Sequence, residues 1–472
     1  MRRSWLRGVL SFVAVVLFGC NDDVQAPGSG DQLDALEPCN IPGVDRARCG
    51  SFSVYEDRDA RAGRTIDIAV VVLQSDDPDP EPDPVLFIAG GPGQASTDLV
   101  EFSDAAYPEL RRNRDLVFID QRGTGHSGAL LCPGPLPGGE ASVLGTLFPP
   151  DHVDACRQRL ATRADLGLYA THLAVDDMAD VLEEIGYESV NLNGVSFGTR
   201  VAQVFLRRHP NMVRTAVLNG VVPVNRNTYL YAAPAAQAAL DVLMEECESD
   251  PTCSDRYPDA RSKFWDLVAR FDDGPIMVHR PRGTVLFDRG DFGYAVRGML
   301  YGELADQILL WTWDTYLIGD FTRFADYAIE RAAWVASATF ATGLHLSVVC
   351  AEDIPFTTAV EIESLTTGTF LGPHLIERYR TACEHWTQGS IPAGYREPVN
   401  SSVPVLLISG ERDPATPAAW GDQVAAHLSN GRHVVVPGGG HAIVGPCTLE
   451  MQVKLVLEGS VAGLGSSCPV GG

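Results

Sequence analysis

Short apolar runs alternate with helical periodicity in two parts of this chain, and the alternation predicts an α/β architecture with a mostly parallel central sheet. The runs at 84–89, 115–119, 189–193, 403–409 and 432–437 are too short for core helices and rich in Val, Ile, Leu and Phe. They read as buried strands. Val175, Met178, Val181, Leu182 and Ile185 recur at helical spacing before Gly186, a C-terminal cap, so an amphipathic helix leads into the strand at 189–193. A second helical pattern follows from 199 to 208. The acidic, proline-alternating run at 75–84 cannot pair in a sheet and reads as a solvated connection. From about 225 to 399 the rhythm changes to helical patterns, at 235–247, 262–271 and 321–338, and this stretch reads as an inserted, mainly helical lid.

Composition sharpens this picture at the amino terminus. Arg2, Arg3 and Arg7 flank an apolar run from Val9 to Phe18 that falls short of the ~20 residues a permanent span needs, so residues 1–19 read as a signal peptide. The sequence Leu17-Phe18-Gly19-Cys20 resembles a bacterial lipobox. A mature chain starting at a lipid-modified Cys20, with a polar tether over 20–48, is expected on the outer side of a membrane. Core would then occupy 49–224 and 400–472, with the lid between them. The formal net charge of −25 argues against any general affinity for nucleic acid, which needs clustered basic residues. No Cys-x-x-Cys or His-Glu-x-x-His spacing occurs, so no metal site and no cofactor are expected.

Candidate chemistry sits at the carboxyl ends of the predicted strands. Gly194-Val195-Ser196-Phe197-Gly198 follows one strand and opens one helix. A serine on so sharp a turn is presented as a nucleophile, and both glycines are needed because a Cβ at either would crowd the turn. Gly90-Gly91-Pro92-Gly93 follows another strand, and such a loop can bring backbone N–H groups to a substrate oxygen. Phe197 and Gly90 or Gly91 are the candidate oxyanion donors. Asp413 follows the run at 403–409, and His441 lies on a glycine loop after 432–437. Ser, Asp, His is the chain order of the α/β-hydrolase triad, with His441 as base and Asp413 as its orienting acid.

Four stretches carry a family resemblance: Ala89 to Gln94, Asp120-Gln-Arg-Gly-Thr-Gly-His-Ser127, Gly194 to Arg200, and Gly410 to Pro417 together with Gly440-His441. On these the chain resembles the prolyl aminopeptidase and tripeptidyl aminopeptidase branch of the α/β-hydrolases, which are serine exopeptidases. The Asp-Gln-Arg-Gly-Thr-Gly segment is the most specific of the four. The resemblance runs from about residue 49 to 468. It implies the α/β-hydrolase fold, a peptide substrate and an acyl-enzyme intermediate. Many prolyl aminopeptidases carry a histidine where this chain has Ala89, which argues against a strict proline-releasing enzyme.

Without Cys20, ten of the eleven cysteines remain, and proximity together with the family's cysteine positions pairs them as Cys39 with Cys49, Cys132 with Cys156, Cys247 with Cys253, Cys350 with Cys383, and Cys447 with Cys468. That number implies an oxidising compartment. In the lid, Glu352 and Asp353 stand side by side next to Cys350, and Glu352 first, Asp353 second, are the candidates for holding a substrate α-ammonium. Trp311, Trp313, Tyr316 and Trp334 either line a pocket or pack the core. Two other functions share these residues: a carboxylic ester hydrolase using the same triad, and a surface lipoprotein that keeps the fold without catalysis.

Overall fold

Among the described residues nine strands build the central sheet, and the runs that are apolar on both faces occupy its middle. The protein is described here by a computed structural model covering residues 32–302 and 304–469. The strands are β1 (Glu37–Ile41), β2 (Val44–Tyr55), β3 (Thr65–Leu73), β4 (Val85–Ile88), β5 (Leu116–Ile119), β6 (Val190–Val195), β7 (Val213–Asn219), a separate hairpin of β8 (Ile276–Arg280) and β9 (Gly283–Phe287), then β10 (Val405–Gly410) and β11 (Gly431–Val436). The sheet runs β1-β2-β3-β5-β4-β6-β7-β10-β11. From β5 to β11 all pairings are parallel, whereas β1, β2 and β3 add antiparallel strands at one edge.

Every residue of β4 and β5 is buried, as a strand covered on both faces must be. Alternate side chains serve two cores. Leu86, Ile88, Val117 and Ile119 pack with Val175, Met178 and Leu182 of helix Thr171–Glu184 and Val201 and Phe205 of helix Phe197–Arg208. Val85, Phe87, Leu116 and Phe118 pack on the other face with Val100, Tyr107, Val453 and Val456. Each such buried side chain contributes about 1.5–3 kcal/mol, so the strand period of two holds helices on both sides.

One expectation needs correction and another gains a detail. The tether expected over 20–48 ends sooner, because β1 and the start of β2 lie within it. Cys39 and Cys49 are joined there, and Glu37 faces Cys49 across an antiparallel ladder. The region expected as a helical lid is mainly helical, from Ala232–Ser249 to His374–Glu384, but it also contains the β8–β9 hairpin. The signal peptide and Cys20 lie outside the described residues. Disulfides join Cys132 to Cys156, Cys247 to Cys253, Cys350 to Cys383 and Cys447 to Cys468, so ten cysteines are paired within the described chain. Such a set belongs to a chain that folds in an oxidising compartment. Among the described residues no helix is long and apolar enough to cross a membrane.

Candidate active site

Ser196 follows β6 with φ 55° and ψ −123°, a conformation that a residue with a side chain adopts only when its surroundings enforce it. The flanking glycines are part of the enforcement. A Cβ on Gly194 would meet Gly198 O at 2.6 Å, and a Cβ on Gly198 would meet Ile88 O at 2.2 Å. The first helical turn therefore presses directly on β4. Ser196 N donates to Asn219 O at the end of β7 (2.8 Å), which holds the turn from the other side.

The three residues expected to act together meet at the carboxyl ends of β6, β10 and β11. His441 Nε2 lies 2.9 Å from Ser196 Oγ, and His441 Nδ1 lies 2.8 Å from Asp413 Oδ2. With Nδ1 protonated toward Asp413, Nε2 is the acceptor for the serine hydroxyl. Asp413 is 2 % exposed, yet its oxygens also accept from Ala415 N and Thr416 N at 2.8 Å each and from Thr416 Oγ1 at 2.5 Å. A buried carboxylate so fully hydrogen-bonded is fixed in orientation.

The glycine loop closes over the serine. A Cβ on Gly90 would stand 3.0 Å from Ser196 Cβ and 3.6 Å from its Oγ, so backbone alone fits there. Phe197 opens the helix, where the first N–H groups have no intrahelical acceptor. Gly91 has φ 106°, a region that favours glycine.

Residues 83–257 match the α/β hydrolase fold family, and residues 369–468 match the family described as TAP-like protein. The chain is an α/β-hydrolase with a TAP-like carboxyl-terminal part. It is 22% identical over 471 residues, 93% of this chain and 85% of the relative, to the tripeptidyl aminopeptidase of Streptomyces coelicolor. It is 25% identical over 205 residues, 42% of this chain and 41% of the relative, to the putative hydrolase YuaR of Escherichia coli. The crystal structure of the proline iminopeptidase of Mycobacterium smegmatis aligns at 17% identity and a TM-score of 0.38, covering 83% of this chain and 92% of that one.

The hydrolase does not place its two lid carboxylates where a substrate amine could meet them. Glu352, 0 % exposed, accepts from Thr171 N at 2.7 Å and from Tyr395 OH at 2.5 Å. Asp353 accepts from Arg200 Nη1 at 3.0 Å, and the same nitrogen stands 3.6 Å from Glu352. Both are interior partners of Arg200, which lies on the helix that Ser196 caps and reaches over the Phe197 ring. Burial pushes both carboxyl groups above their ordinary range, and Arg200 holds them back. The expectation that either one anchors an α-ammonium is thus corrected: helix Thr342–Glu352 turns them inward, to a cation some 150 residues away in sequence.

The Asp-Gln-Arg-Gly-Thr-Gly stretch is structural cement for the same region. Asp120 accepts from Thr97 N (2.9 Å), Thr97 Oγ1 (3.0 Å) and His126 N (2.9 Å), tying down the segment that follows the glycine loop. Arg122, fully buried, makes a two-pronged pair with Asp177 at 2.6 and 2.8 Å and donates to Glu56 O and Leu168 O.

Several residues around the site carried no sequence signal. Asn219 bonds Ile443 N and O at 3.1 and 2.7 Å and so fixes the histidine loop. His345 Nδ1 lies 2.8 Å from Pro92 O, and Ala341 N donates to Gly93 O at 3.0 Å. The helical insertion therefore props the glycine loop from above. Burial lowers the His345 pKa to about 4, so its imidazole is neutral and donates only one proton, to Pro92 O, while Nε2 accepts from Tyr379 OH at 2.9 Å. Trp334 packs against the His345 ring, whereas Trp311 packs on Phe324 and Trp313 on Tyr257. Among the described residues no cluster of three or more His, Cys, Asp or Glu could hold a metal ion.

Proposed function

We propose that this hydrolase is a serine peptidase that releases amino-terminal residues or short peptides through an acyl-enzyme. One observation carries the reading: an unbroken hydrogen-bonded relay from Ser196 Oγ through His441 to Asp413, beneath a glycine loop. As Ser196 Oγ bonds to the scissile carbonyl carbon, its proton passes to His441 Nε2. Asp413 stabilises the imidazolium. The carbonyl oxygen gains the negative charge and is held by the N–H groups of Phe197 and of Gly90 or Gly91. When the C–N bond breaks, His441 returns the proton to the leaving amine, and water repeats the sequence to release the acyl group.

Kinship with a tripeptidyl aminopeptidase over most of both chains supports a peptide substrate. The helical insertion at 225–399 serves as the lid over this site, and export with a lipid on Cys20 would keep the enzyme at a membrane surface in an oxidising space. One observation favours an ester hydrolase as the second reading: Glu352 and Asp353 are occupied by Arg200, so neither holds a substrate ammonium. A panel of amino-free and amino-blocked mono-, di- and tripeptidyl anilides beside simple esters separates the two. The peptidase reading expects amino-free di- or tripeptidyl anilides to be cleaved with the highest kcat/KM. Equal rates on free and blocked substrates, with esters fastest, would replace it by the esterase.

A further inference from the structure

Arg297 is a buried cation without a counter-ion among the described residues. It lies on helix Arg289–Leu300 and is 8 % exposed. Among the described residues no carboxylate pairs with it, and its one hydrogen bond runs from Nη2 to Tyr301 OH at 2.8 Å. Its Nε is buried with no acceptor among the described residues. Burial bears most heavily on its charge, and the phenols of Tyr301, Tyr294, Tyr379 and Tyr229 act the other way. Elsewhere the fold does not tolerate this: Arg122 is matched to Asp177, Arg200 to Asp353, Arg378 to Asp291 and Arg114 to Asp83. An uncompensated buried guanidinium costs several kcal/mol of desolvation, and in a chain of net charge −25 carboxylates were not scarce.

Its position connects it to the chemistry. The Tyr301 ring, with the Arg297 guanidinium 5.1 Å from its centre, packs edge-on against His441 with ring centres 5.1 Å apart. Tyr301 O also accepts from His441 N at 3.2 Å. A second guanidinium, that of Arg331, lies 5.1 Å from the same ring and has no carboxylate partner among the described residues. The Tyr301 ring thus lies between the His441 imidazole and the buried Arg297 guanidinium, with the exposed Arg331 beside it. Tyr301 OH, already accepting from Arg297, keeps its own proton to donate.

We infer that Arg297 and Tyr301 bind a substrate carboxylate, so that this hydrolase selects peptides with an acidic side chain adjacent to the scissile bond. The inference rests on the serine peptidase reading and gives it a substrate class. Guanidinium N–H groups and the tyrosyl O–H are all donors, which suits a carboxylate and offers a substrate ammonium nothing. An aspartate or glutamate side chain one residue from the reacting carbonyl spans the width of one ring. The carboxylate then supplies the counter-charge that the fold omits, and a glutamine in its place leaves Arg297 buried and unpaired.

The test compares wild type with Arg297→Met, which keeps the length of the stem and removes the charge. Two matched substrate pairs are used, with Glu or Gln first on the carbonyl side of the cleaved bond and then on its amine side. Fluorophosphonate labelling of Ser196 is followed in parallel, with and without glutarate. Wild type should prefer Glu over Gln at one of the two positions by roughly 10- to 100-fold in kcat/KM, the scale of a charged hydrogen bond. Arg297→Met should lose that preference, its ratio of kcat/KM on Glu to that on Gln falling to near one. Glutarate should slow labelling of wild type and not of the variant. Because no partner is orphaned, Arg297→Met should unfold at the wild-type denaturant concentration or above it. Equal handling of Glu and Gln by wild type, a preference that survives in the variant, or glutarate without effect on wild-type labelling would overturn this inference alone. A Ser196 that does not label in either protein would instead overturn the serine hydrolase reading beneath it.

Discussion

Removing the Arg200 guanidinium should destabilise the protein by an amount that grows with pH. Arg200 Nη1 stands 3.0 Å from Asp353 and 3.6 Å from Glu352, and none of the three side chains is more than 4% exposed. In Arg200→Met the two carboxylates remain inside without their cation. A buried carboxylate escapes that state by taking a proton, which at pH 7 costs about 3.7 kcal/mol from an ordinary glutamate pKa of ~4.3 and about 4.2 kcal/mol from an aspartate pKa of ~3.9. One such uptake sets the loss at about 3–5 kcal/mol, in line with breaking other buried pairs. At pH 5 the same uptake costs only about 1–1.5 kcal/mol. The sign follows from linkage: burial raises both groups in the folded state, so the folded variant holds a proton that the unfolded chain has lost, and its stability falls as pH rises. Urea denaturation of wild type and variant at pH 5, 6, 7 and 8 measures the gap directly. It should widen with pH, and Arg200→Met combined with Glu352→Gln and Asp353→Asn should recover most of it. A gap below about 1 kcal/mol at pH 7, or one that does not change with pH, would refute this reasoning.

Gly198→Ala should fail where a surface glycine change would not, because the added methyl meets Ile88 O at 2.2 Å and Ala89 O at 2.8 Å, both rigid backbone. Soluble yield and melting temperature should both drop, by well over the 1–3 kcal/mol of ordinary overpacking, and a wild-type melting temperature would contradict the close approach of helix and strand. His345 adds a separate pH dependence: its folded pKa of about 4 lies below the unfolded ~6.5, so its contribution is complete above pH 6.5 and is lost as pH falls toward 4, by about 3 kcal/mol. His345→Gln should flatten that part of the acid stability profile and lower kcat more than it changes KM, since the Pro92 carbonyl loses its prop; an unchanged acid profile would refute it.

The arrangement of the candidate site was legible in short local patterns at strand ends. The serine turn, the glycine loop, Asp413 and His441 each follow an apolar run, and a parallel sheet gathers those ends on one edge. What the sequence hid is long-range. Adjacent Glu352 and Asp353 look like an exposed charged pair, and nothing near them announces that Arg200 will bury both. The same holds for Arg122 and Asp177, for His345 under Pro92 O, and for Tyr301 beside His441, whose partners are set by tertiary packing alone. Thr416 was closer to visible, because Asp-Pro-Ala-Thr is a turn in which an aspartate accepts from residues two and three ahead. So was the β8–β9 hairpin, where the two-residue turn Pro281-Arg282 separates two short β-prone runs that helical periodicity on either side masks.

The central claim, that Ser196 is a nucleophile driven by His441 and Asp413, is tested most directly by fluorophosphonate labelling followed by peptide mass spectrometry. The account expects one adduct, on the peptide carrying Ser196, absent in Ser196→Ala and strongly slowed in His441→Ala, with peptide turnover falling on the order of 10⁶-fold in the serine variant. An adduct on another residue, or a Ser196→Ala protein that keeps more than a few per cent of wild-type turnover, would contradict it.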